Sequence, residues 1–205
     1  ALDHINLWLI SDEADGVKGW TIVDTGIAND STKAAWNRVF ETELKGLPIL
    51  RIVVTHMHPD HVGLADWLSK RWNVKVWMSL GDYSVARWLV SPAGSQLGSQ
   101  AGGGGAADHF KLHGLNDESD LEKIRARSDY YQRMVPSLPS QFGRLMDGDV
   151  LRIGNHDWEI ITGYGHAPEH LSLWCSNQNV LISGDMVLPR ISTNVSVYDS
   201  EPDAN

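Results

Sequence analysis

The chain has 205 residues, enough to bury one full α/β core. Hydrophobic residues make up 42% and charged residues 21%, which excludes a disordered segment, and a formal net charge of −9 argues against a nucleic-acid partner, whose phosphates would call for Lys and Arg. The single cysteine, Cys175, rules out an internal disulfide. With no apolar run near the roughly 20 residues of a membrane span, and no basic leader at the N-terminus, the expectation is a cytoplasmic protein without a membrane partner.

Taken in chain order, Ile5–Ile10 and Gly19–Thr25 read as paired strands around the turn-rich SDEADGVK. Ser31 is placed to cap a helix running to about Leu44, ended by Gly46 and Pro48. Leu47–Thr55 follows as a buried strand, Asp60–Trp72 as an amphipathic helix and Val74–Met78 as a short strand. Helical patterns return at Asp82–Val90 and Asp117–Met134. Between them SPAGSQLGSQAGGGGAAD reads as a Gly/Ser-rich loop. Strands resume at Val150–Ile153, Trp158–Thr162, His170–Cys175 and Val180–Ser183. This order predicts one α/β layered domain over 1–205 with a helical, lid-like insertion at 81–145.

The chemistry concentrates where the strand ILRIVV breaks into THMHPDHVG, Thr55–Gly63. Residues two apart at a strand end share a side, so His56 and His58 can converge on one point. Pro59 stops the strand, and Asp60 and His61 start the next helix, from which they can face the same pocket. Imidazole nitrogens beside a carboxylate suit zinc or iron better than magnesium or calcium. Two later strand ends deliver the same residue types: His166 in GYGHAPEH and Asp185 in SGDM. A sheet that presents ligand-type residues at several strand ends builds a site there.

Together HMHPDH, GHAPEH and SGD, with VDTG at Val23–Gly26, resemble the metallo-β-lactamase superfamily and its H-x-H-x-D-H signature. The resemblance implies an αβ/βα four-layer sandwich. It implies one metal held by His56, His58 and His166, a second held by Asp60 and His61, and Asp185 bridging the two. Asp24 would steady the histidine loop, and His170 is read equally as a neighbour of the site or as a structural histidine. His109 and His113, four apart in the insertion, match no ligand position and are read as lid residues. No histidine follows His170, whereas the family completes its second metal position with a late histidine. The expectation is therefore an incomplete C-terminal part, with the second metal weakly held or absent.

The function this implies is a zinc-dependent hydrolase acting on an ester-like or amide-like bond of a small molecule: thioester, lactone or β-lactam. Two zinc ions are expected in the complete protein, with iron or manganese as alternatives. They would lower the pKa of a shared water, and Asp60 and Asp185 could take up its proton. The main rival is a mononuclear non-haem iron enzyme resembling persulfide dioxygenases, and the third reading is a non-catalytic member of the fold.

Overall fold

The computed structural model describes residues 4–97 and 104–196. The middle of the Gly-rich loop and the Asp203–Asn205 tail lie outside these residues. The chain opens with a hairpin of β1 (Trp8–Ala14) and β2 (Val17–Val23), followed by α1 (Asp30–Thr42) and β3 (Ile49–Val53). Next come α2 (Pro59–Val62), α3 (Ala65–Trp72), β4 (Val76–Met78) and α4 (Leu80–Leu89). After these lie α5 (Pro92–Leu97), α6 (Gly104–Leu112), α7 (Glu118–Arg125), α8 (Tyr130–Met134) and β5 (Gly143–Arg144). The last strands are β6 (Val150–Ile153), β7 (His156–Gly163), β8 (His170–Cys175) and β9 (Val180–Ile182), closed by a 3-10 turn at Gly184–Met186.

The strands form a five-stranded mixed sheet, β1-β2-β3-β4-β5, and a four-stranded antiparallel sheet, β6-β7-β8-β9. Two cores follow from strand alternation. One face of the first sheet (Ile22, Ile52, Val76, Met78) packs against the helices through Trp36, Leu64 and Leu68. The opposite face (Val23, Val53) meets Leu151, Trp158, Ile160, Leu171 and Leu173 from the second sheet. The far side of the second sheet carries Val150, Glu159, Ile161 and Leu181, all exposed. The described residues thus form three layers, helix on sheet on sheet.

Several boundaries differ from expectation. The first hairpin runs on to a two-residue turn at Asp15–Gly16, both with positive φ (52° and 77°) as a tight right-twisted hairpin requires. Asp12 enters the strand because Thr21 and Arg51, 2.6 and 2.9 Å away, pair its carboxylate. Asn29, not Ser31, caps α1: its side chain accepts from Thr32 N–H at 2.8 Å, and Ser31 donates to Asn29 instead. The helix expected over Asp60–Trp72 breaks at Gly63–Leu64. There a β-carbon on Gly63 would lie 2.5 Å from Pro59 O and 2.6 Å from Gly26 O, so the loop after β2 packs directly on it. The helix expected over Asp117–Met134 splits into α7 and α8 around Ser128 and Asp129, poor helix formers. Parts of the Gly-rich loop on either side of the undescribed residues are helical, in α5 and α6. The segment 81–145 returns to the first sheet as β5, and Tyr131, Val135 and Leu138 join its helix-side core.

Candidate metal centre

Strand ends from both sheets meet at one edge. Leu171 N–H donates to Thr55 C=O at 2.8 Å, which joins the start of β8 to the chain leaving β3. His58 is held extended (φ −61°, ψ 145°), as a residue before proline must be, and Pro59 then opens α2. Asp24 follows β2 in the left-handed region, φ 63°. That strained backbone aims its carboxylate at the histidine loop. Oδ1 accepts from Thr55 N–H at 2.8 Å and Oδ2 from His61 Nδ1–H at 2.8 Å.

The donor atoms of His56, His58, His166 and Asp185 all lie within 4.8 Å of one another, and so do those of Asp60, His61 and Asp185. Asp185 belongs to both groups. The structure therefore brings together all six residues that the sequence put forward.

Their outer partners fix which nitrogens face inward. Thr55 Oγ1 lies 2.9 and 3.0 Å from the Asp24 carboxylate oxygens and donates to them, so it receives a proton from His56 Nδ1 at 2.9 Å. Asn194 C=O, which only accepts, lies 2.9 Å from His166 Nδ1. The Nε2 atoms of His56 and His166 are thereby left as bare lone pairs, facing each other at 3.2 Å. His58 Nδ1 is 2.9 Å from the same His56 Nε2. Lone pairs at this spacing repel unless a cation sits among them. Nitrogens bound tetrahedrally to zinc at about 2.05 Å would stand about 3.3 Å apart, close to what is seen.

His61 makes the same point for the second group. Its Nδ1 proton goes to Asp24, while the buried Nε2 has no hydrogen-bond partner and lies 3.7 Å from Asp60 and 3.4 Å from Asp185. A lone pair aimed at two carboxylates needs either a proton or a metal ion. Burial opposes the proton, but the Asp24 carboxylate, helped by Asp185 and Asp60, outweighs it and raises the His61 pKa to about 10.

Burial, reinforced by neighbouring imidazoles, holds His56 well below its ordinary value, His58 at about 3 and His170 at about 4, so these rings stay in the neutral, ligating form. Burial raises Asp60, and Asp185 and Asp24 add to this against the pull of His61. For Asp185, burial is outweighed by the His61 and His166 rings, each 3.4 Å away, which keep its pKa far below the carboxylate range.

His170 is fully buried, stacks on the His56 ring at 4.7 Å and accepts from Asp185 N–H at 3.2 Å, but it belongs to neither donor group. It supports the site from behind. His109 and His113 lie against each other at 4.5 Å and outside both groups. Sequence reasoning missed Thr55, Asn194, Asp82 and Tyr131. Thr55 was detectable as the last residue before the histidines; the others gave no local signal.

The sequence model of the metallo-beta-lactamase superfamily (Lactamase_B) matches residues 2–204. The chain belongs to that superfamily. A beta-lactamase domain protein from Burkholderia ambifaria is 49% identical, with a TM-score of 0.89 over 100% of this chain and 56% of its own. The metallo-beta-lactamase family protein TTHA1429 from Thermus thermophilus is 23% identical, with a TM-score of 0.66 over 95% of this chain and 64% of its own, and shows likeness of fold alone. Among curated proteins, the probable metallo-hydrolase YqgX of Bacillus subtilis is 26% identical over 144 residues, 70% of this chain and 52% of that protein. The chain thus spans about half the length of YqgX and of the Burkholderia protein. The superfamily fold accounts for the two sheets and for the position of the histidine loop between them, and the His/Asp cluster implies a divalent metal. No helix among the described residues is long and apolar enough to cross a membrane.

Proposed function

We propose that this chain carries the metal site of a hydrolase that cleaves an ester-like or amide-like bond, of thioester, lactone or β-lactam type, in a small-molecule substrate. The observation that carries this reading is the set of inward-facing ring nitrogens on His56, His166 and His61, each ring fixed by a proton committed to an outer partner. The description of YqgX as a probable metallo-hydrolase points the same way.

In this reading His56, His58 and His166 hold one zinc, Asp60 and His61 hold a second, and Asp185 is shared. Bound metal would supply a Lewis acid and water of lowered pKa. Asp24 and Thr55 keep His61 and His56 turned inward. Asp60 and Asp185 are the carboxylates proposed to take up the proton that the attacking water gives up. One observation favours a second reading, a mononuclear non-haem iron oxidoreductase of the persulfide dioxygenase kind: the first group offers four donor residues by itself, the second only three, one of them shared.

Elemental analysis of protein purified without added metal, paired with assays with and without oxygen, separates the two. About two zincs per chain and oxygen-independent hydrolysis support the first reading. One iron and oxygen-dependent turnover would overturn it in favour of the second, and protein that takes up no metal would end both.

A further inference from the structure

The metal reading uses the histidines and the carboxylates of Asp24, Asp60 and Asp185. It leaves unexplained two buried polar side chains that press on the ligand loops from the segment between β4 and β5. Asp82, in the first turn of α4, is 0% exposed, and Tyr131, in α8, is 6% exposed. Neither belongs to a donor group, and neither lies within the three sequence motifs.

Both reach the same short stretch of backbone. Asp82 Oδ1 accepts from Met57 N–H at 2.7 Å, and Tyr131 O–H donates to Met57 C=O at 2.6 Å. The Met57 N–H belongs to the peptide unit that joins it to His56, and the Met57 C=O to the unit that joins it to His58. Each of the two peptide planes linking the paired histidines is therefore held by one buried side chain. Tilting either plane would swing one imidazole relative to the other. Met57 itself is buried in the helix-side core, so the backbone between the histidines is pinned from three directions.

The second oxygen of Asp82 reaches the other ligand loop. Oδ2 accepts from Glu169 N–H at 2.8 Å, three residues after His166 and next to His170, and from Ser79 O–H at 3.2 Å. Glu169 answers from its side: its carboxylate accepts from Gly81 N–H at 2.8 Å. One carboxylate thus spans the loop that carries His56 and His58 and the loop that carries His166. Among the described residues no Lys or Arg pairs with Asp82, whereas the buried Asp12 has Arg51 beside it. An unpaired buried carboxylate costs folding stability, so its presence at the junction of two ligand loops calls for an explanation other than packing.

We propose that Asp82 and Tyr131 are positioning residues that set the separation of His56, His58 and His166 by holding the Met57 peptide planes and the Glu169 amide. The helical segment between β4 and β5 thereby grips the metal site. This rests on the metal reading above.

The test separates metal affinity from folding. Zn2+ affinity is measured on the full chain by chelator competition, Co2+ binding by its visible absorption, and thermal stability in EDTA. The variants are Asp82→Asn, Tyr131→Phe and, as a matched control, Asp12→Asn, a 3% exposed carboxylate bonded to Thr21 and Gly154. Partners that orient ligands typically contribute about 10–100-fold to affinity. Asp82→Asn and Tyr131→Phe should each weaken Zn2+ by roughly that range and alter the Co2+ spectrum. Asp12→Asn should stay within about twofold of wild type although its melting temperature falls as far. The proposal is overturned if the two variants bind Zn2+ as wild type does, or weaken it only in step with Asp12→Asn. If Asp82→Asn does not fold, Tyr131→Phe decides by the same two outcomes. Wild-type protein that binds neither ion sinks this proposal together with the metal reading; tight wild-type binding that both variants share sinks this proposal alone.

Discussion

Asp82 shows how one side chain can carry a pH dependence separable from that of the histidines around it. Burial lifts its pKa from 3.8 to about 6 in the folded chain, with the Glu169 charge adding to this against hydrogen bonds from Met57, Glu169 and Ser79. Between those values the folded state keeps a proton that the unfolded state releases. The contribution of this group to stability is therefore full below pH 3.8 and is lost as the pH rises towards 6. The displacement corresponds to on the order of 2–3 kcal/mol. Asn at this position does not titrate, and the histidines are common to both proteins and cancel in the difference. In urea unfolding with EDTA present, the stability of wild type minus that of Asp82→Asn should fall by on the order of 2–3 kcal/mol between pH 4 and about 6.5, then level off. A difference that stays flat over this range would mean the carboxyl titrates as it does in the unfolded chain.

At the scale of elements, the start of α1 gives a discriminating case. Ser31 reads as a cap because serine before an apolar stripe usually is one, but Asn29 is extended (φ −135°, ψ 169°) and supplies the accepting oxygen. Asn29→Ala should therefore cost about 1 kcal/mol in chemical denaturation, and Ser31→Ala only a few tenths. Equal losses would return the cap to Ser31. The same contrast explains what sequence could and could not reveal. All the strands but β5, and the six candidate donor residues, were legible because their signals are local: alternation within a strand, four ligand-type residues between His56 and His61, and His166 and Asp185 just after strand patterns. The break at Gly63 was not, because it depends on backbone at Gly26 and Ala28 approaching from a distant part of the chain. Asp82 and Tyr131 were equally silent. Their bonds to Met57 cross 25 and 74 residues, and Asp82 to Glu169 crosses 87, so a periodicity argument sees only an acidic residue early in one helix and an aromatic one in another.

For the whole molecule, the donor groups lie where the two sheets come together. The first sheet supplies His56, His58, Asp60 and His61 beyond β3, with Asp24 behind them; the second supplies His166 and Asp185. A cation held by both would act as a clasp at one end of the inter-sheet core of Val23, Val53, Leu171 and Leu173. Its removal would leave facing lone pairs at His56 and His166, and a His61 that must take up a proton to stay buried between carboxylates. Metal at about a thousand times its dissociation constant stabilises the folded state by about 4 kcal/mol. For a domain of this size that is roughly 10 °C in melting temperature. Stripping the protein with EDTA should lower its melting temperature by roughly that amount, and stoichiometric Zn2+ should restore it. The loss should also be localised. Hydrogen exchange should quicken at Thr55–His61, at Tyr164–Glu169 and around Asp185, while the β1–β2 hairpin, held by its own register and by the Asp12 bonds to Thr21, Arg51 and Gly154, exchanges as before. Unchanged melting in EDTA, or protection lost evenly across both sheets, would show that no cation joins the layers at this edge.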